Sequence, residues 1–110
     1  MDCETDPTPL PTPEVLTRAV ALFSAMAHAP RLWVLVALSR HGPMSAGALQ
    51  QIAGLEQTAM SHQLRVLREA HLVTTRRDGK WVIYELADDH VAHVVEDTLR
   101  HVVEPHGEDP

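Results

Sequence analysis

Apolar residues recur at helical spacing early in the chain. Val15, Leu16, Ala19, Val20, Phe23 and Met26 share one face of a helix predicted over about residues 12–28. Thr12 suits its cap and Pro13 its first turn. Pro30 opens a second helix to about residue 40, in which Leu32, Val34, Leu35, Val36 and Leu38 leave little polar face. A helix apolar nearly all round belongs at the centre of a fold. His41-Gly42-Pro43 stops it. Ser45 caps a short third helix to about residue 53, Gly54 breaks the chain, and a fourth helix covers about 58–70 with Leu64 and Leu67 inward. The period then changes to two. Residues 72–77 and 80–86 alternate, are rich in Val, Thr, Ile and Tyr, and flank Asp78-Gly79, a strong hairpin signal. A last helix covers about 89–103, with Val91, Val94, Val95, Thr98 and Val102 as its apolar stripe. The prediction is a mainly α fold with one β-hairpin, in the order α-α-α-α-β-β-α.

Composition narrows this picture without changing it. The 110 residues support one domain, expected over 13–104, between a Pro-rich disordered arm at 1–12 and a flexible tail at 105–110. With only four aromatics, the core must be built from Leu, Val and Ala. So small a domain gains from a dimer interface. The single cysteine, Cys3, permits no disulfide within the chain and no Cys-rich metal site. The first residues lack the basic and apolar regions of a signal peptide, and no apolar run is long enough to cross a bilayer. The expected location is the cytoplasm, with no membrane partner. No Gly-rich phosphate loop, HExxH motif or nucleophile–base pair stands out, so an enzyme is not expected.

The net charge of −6 argues against a nucleic-acid partner until its distribution is read. Residues 1–14 hold four acids and no Lys or Arg, and residues 88–110 hold seven acids against Arg100. The stretch 56–80 is basic, with Arg65, Arg68, Arg76, Arg77 and Lys80 against three acids. Local charge decides phosphate contact. Two short helices joined by a tight Gly-containing turn and followed by a hairpin form a winged helix-turn-helix. In that arrangement Gln57, Thr58, Ser61, His62, Gln63 and Arg65 are placed for base edges or phosphates. Arg76, Arg77 and Lys80, at the hairpin tip, are placed for phosphate or the minor groove.

The segment from Gln57 to Val73 with Ser61-His62-Gln63-Leu64 at its heart, the wing Arg76-Arg77-Asp78-Gly79-Lys80 with Val82-Ile83-Tyr84-Glu85-Leu86, and Ala27-His28-Ala29-Pro30-Arg31 together resemble the ArsR/SmtB family of bacterial metal-sensing repressors. The resemblance covers about residues 14–104. It implies a dimer that binds an inverted-repeat operator in double-stranded DNA, one recognition helix per half-site.

The last helix carries His90, His93, Asp97, His101 and Glu104 within about 80° of one another. Imidazole and carboxylate are ligands for zinc, nickel and cobalt. His101 and Glu104 are spaced to hold one ion, and Asp88 and His90 lie together at the helix start. His90 and His101 are about 16 Å apart along the axis at 1.5 Å per residue, too far for one ion with bonds of about 2 Å. Two antiparallel copies of the helix, related by a two-fold axis at the level of Val95–Glu96, would bring the pairs together as two equal four-ligand sites. The resemblance implies the same set: Asp88-Asp89-His90, ten residues, then His101-Val102-Val103-Glu104 follows the spacing of the family's interhelical zinc site. Four nitrogen and oxygen ligands favour Zn(II), with Ni(II) or Co(II) as the alternative. His93, Asp97 and His106 are candidates for extra ligands or for residues that orient the imidazoles. The third helix has no Cys, so the family's thiolate site is not supported. A regulator of the same fold that answers a non-metal signal or a partner protein is the alternative function.

Overall fold

The computed structural model describes residues 9–105. Five helices and three strands follow in order: α1 (Pro13–Met26), α2 (Ala29–His41), β1 (Met44–Ser45), α3 (Ala46–Ala53), α4 (Gln57–Glu69), β2 (Val73–Asp78), β3 (Trp81–Leu86) and α5 (Asp89–Val103). The winged helix-turn-helix order expected from the periodicity is present, with one addition. Met44 and Ser45 pair with Tyr84 and Ile83, so the hairpin becomes a three-stranded antiparallel sheet ordered β1-β3-β2. Two residues are too few to show alternation, and their partner lies far along the chain.

Local chemistry sets the ends of the elements. The Thr12 hydroxyl accepts from the Val15 N–H, the Ser45 hydroxyl from the Ala48 N–H, and the Asp88 carboxylate from the Val91 N–H at 3.1 Å. Each satisfies a donor that the first helical turn leaves open. Gly54 takes the left-handed conformation that separates α3 from α4. At the end of α4 that conformation falls to His71, at φ 62°, and Leu72 returns its N–H to the Leu67 carbonyl.

The core is centred on α2, where Val34, Leu35, Ala37 and Leu38 are buried. Leu49 of α3, Met60, Leu64 and Leu67 of α4, Leu72 and Val73 at the start of β2, and Val91 and Val95 of α5 close around them. That is why α2 lacks a polar face. Helix α1 turns from α2 by 92° and packs differently. Its amphipathic face is real, but only Met26 is buried, while Val15, Leu16, Val20 and Phe23 are 50–57% exposed. On α5 the packed stripe is Val91, Val95 and Leu99, with Val94 partly covered. Thr98 and Val102, expected in that stripe, are exposed. Val102 points the same way as Val91 and Val95 but sits in the last turn of the helix. No single helix among the described residues is long and apolar enough to cross a membrane.

Candidate functional site

Helix α4 buries Met60, Leu64 and Leu67 and so presents its opposite side to solvent. Gln57, Thr58, Ser61, His62 and Arg65 are exposed on that side. They run beside an open cleft of about 850 Å³ that is also lined by Arg68 and by Tyr84 of β3. Arg68 was counted in the basic stretch but not placed among the DNA-facing residues, although it follows Ser61 and Arg65 at helical spacing. Gln63 also lines the cleft, but it is half-buried. Its Oε1 accepts from Arg31 Nη1 at 2.8 Å, while Arg31 Nε donates to the Ala25 carbonyl at 2.6 Å. Arg31 therefore joins the end of α1 to the middle of α4, and Gln63 is held as part of that joint.

The wing separates its two arginines. In the β2–β3 register Arg77 faces Val82 and Arg76 faces Ile83. Alternation puts Arg77, Val82 and Tyr84 on the side of the sheet that meets the α4 cleft. Arg76 lies on the other side with Trp81, Ile83 and Glu85, and its Nε sits 3.5 Å from Glu85. Lys80 occupies the tip, its ammonium 5.2 Å from the centre of the Trp81 ring. Exposed cations thus continue from Arg65 and Arg68 on α4 to the end of the hairpin.

His90, His93, Asp97, His101 and Glu104 are all exposed, along the side of α5 opposite Val91 and Val95. Asp88 is the N-cap, and Asp97 is paired with Arg100 at 2.8 Å. Among the described residues, no three His, Cys, Asp or Glu side chains of one chain gather to hold a metal ion. His106 and Cys3 lie outside the described residues.

A further polar contact, invisible in the sequence, ties α5 to the core. Glu96 accepts from Ser39 Oγ at 2.8 Å and from Arg40 at 3.1 and 3.2 Å. The hydrogen bonds from Arg40 and then Ser39 hold the Glu96 carboxyl below its ordinary range. The same bond to Glu96 raises Arg40.

A helix-turn-helix domain profile matches residues 26–76, which run from the end of α1 into the wing. The regulator NmtR of Mycobacterium tuberculosis is 38% identical over 88 residues, spanning 80% of this chain and 72% of the relative. The repressor SmtB of the same species is 35% identical over 103 residues, spanning 94% and 75%. This chain belongs to the ArsR/SmtB family of winged-helix transcriptional regulators. The solved structure of HlyU from Vibrio cholerae carries the same fold, with a TM-score of 0.77, 32% identity, and coverage of 84% of this chain and all of that one. The family is one of DNA-binding regulators rather than enzymes, and the exposed side of α4 with the basic wing is the candidate DNA-binding surface.

Proposed function

We propose that this ArsR/SmtB-family chain is a homodimeric repressor that leaves its operator when a transition metal, Zn(II) before Ni(II) or Co(II), is held between the two α5 helices. The observation that carries this is the outward side of α5. Five ligand-type side chains lie on it, uncovered, and Asp88-x-His90 and His101-x-x-Glu104 stand too far apart to share an ion within one helix. A second α5 running antiparallel supplies the missing half of each site.

The donor set fits zinc in kind, with two imidazoles and two carboxylates per site. Asp88, His90, His101 and Glu104 would hold the ion, which on binding supplies a cross-link between subunits. The chain's own residues do the rest. Glu96, with Ser39 and Arg40, fastens α5 to α2, and Arg31 with Gln63 fastens α2 to α4. A change in how two α5 helices sit together therefore has a packed route to the recognition helices. A second copy is further supported by α1, whose apolar face is otherwise left to solvent. On this reading the metal-free dimer represses in the cytoplasm, one α4 per half of an inverted repeat.

The test is fluorescence anisotropy of a duplex carrying an inverted repeat selected by the protein, titrated with and without zinc. Coupling of about 1–3 kcal/mol weakens binding about 5–150-fold with zinc. Equal affinity in both conditions would leave a DNA-binding regulator with another input. Cobalt identifies the preferred geometry, since a tetrahedral spectrum favours zinc and six-coordination favours nickel.

A further inference from the structure

Trp81 has no structural employment at its position. It opens β3 next to the turn, is 57% exposed, and is absent from the packed core. An indole has a large apolar surface, and a protein with few aromatics has reason to bury it. In hairpins such residues often pair across strands with another aromatic or a β-branched residue. The residue opposite Trp81 is Asp78, which offers no such partner.

The surroundings point to one occupant. Lys80 sits over the ring, Arg76 shares the same side of the sheet, and Arg77 follows it on β2. Asp78 and Glu85, the latter beside Arg76, are the acids among these cations. Such a tip is complementary to a polyanion rather than to an acid-poor apolar partner. Tyr84 of the α4 cleft lies on the same strand, about 10 Å away at 3.3 Å per residue, on the opposite side of the sheet, so Trp81 can approach what the cleft meets only from the hairpin tip. With α4 in a major groove, the hairpin tip falls across the neighbouring backbone and minor groove.

We infer that Trp81 is a DNA-contacting residue, its indole packed on the deoxyribose wall of the minor groove beside the recognition site while Lys80, seated on the ring, meets a phosphate. This rests on the DNA-binding role of the fold and is independent of any metal. The contact is apolar and sequence-neutral, so it adds affinity without adding to the count of phosphates neutralised. A cation and an aromatic at one tip should therefore have separable effects on salt dependence.

The experiment uses the full chain and a duplex selected from random sequence by the wild-type protein. Trp33 of α2, the chain's other tryptophan, is replaced by Phe so that Trp81 alone reports. Adding duplex should quench and shift Trp81 emission. Trp81→Ala should weaken binding about tenfold, the equivalent of about 1.4 kcal/mol, with the slope of log affinity against log salt unchanged. Trp81→Phe should stay within about twofold, since it keeps a ring that can pack. Lys80→Ala should reduce the salt slope by about 1. Unchanged Trp81 emission at saturating duplex, or wild-type affinity in Trp81→Ala, would overturn the inference. So would lost affinity together with a lowered melting temperature, which would mark Trp81 as a support of the hairpin. If the wild-type protein selects no duplex, the DNA-binding reading itself fails.

Discussion

Arg76 and Arg77 are neighbours in the chain and lie on opposite sides of the wing. Arg77 shares the side that meets the α4 cleft, whereas Arg76 is beside Glu85. Arg77→Ala should therefore weaken operator binding more than Arg76→Ala and lower the salt slope by about 1, read from titrations at several salt concentrations. Equal effects would mean that Glu85 does not restrain Arg76. Glu96 carries a different prediction. Its carboxyl is lowered by Arg40 and Ser39, so its contribution to stability is present above the ordinary carboxylate pKa and is lost as pH falls through the lowered value. Glu96→Gln should melt below the wild type at neutral pH, and the two should converge in acid. The gap should be modest because Arg40 is largely exposed. Single residues were legible in the sequence where their role is local: Thr12, Ser45 and Asp88 cap the helices that follow them. Glu96 and Arg31 were not, because their partners lie 56 and 32 residues away and no periodicity links them.

At the scale of elements, period together with capping and turn residues identified every helix and both wing strands. It separated a buried helix from an amphipathic one, since α2 is the core and α1 has a single apolar face. What it did not give was the identity of the surface that each face meets. Val15, Leu16, Val20 and Phe23 of α1 stay exposed while Met26 joins the core, and on α5 Val95 and Leu99 pack whereas Thr98 and Val102 do not. Strand β1 was missed for the same reason, since a two-residue strand exists only through its partner. The exposed face of α1 supports a prediction about assembly. Phe23→Asp should shift the chain from dimer towards monomer by at least about tenfold in dissociation constant, from loss of about 1.4 kcal/mol or more of apolar burial. Sedimentation velocity reads this directly, and operator affinity should fall with it. An unchanged dimer would place the interface elsewhere.

As a whole, the molecule is long and thin, 57 × 36 × 21 Å, with a radius of gyration of 17.2 Å against about 13 Å for a compact domain of 100 residues. Its candidate DNA surface is basic within an acidic chain, and its ligand-type residues lie on the exposed side of α5. The helix-turn-helix and the wing were readable because each is built from contiguous sequence. The candidate metal site was readable only as two halves, because a helix fixes spacing along one chain while the facing partner belongs to another.

Subunit mixing tests that central claim. One variant replaces Asp88 and His90 with Ala, and the other replaces His101 and Glu104. Each alone has every interchain site broken and should bind no zinc tightly. Mixed in equal amounts and allowed to exchange, the two variants form heterodimers with one intact site. Tight zinc capacity per chain should then recover to about a quarter of wild type for random pairing of a two-fold dimer. No recovery on mixing, with heterodimers confirmed by mass, would contradict a metal held between the two C-terminal helices.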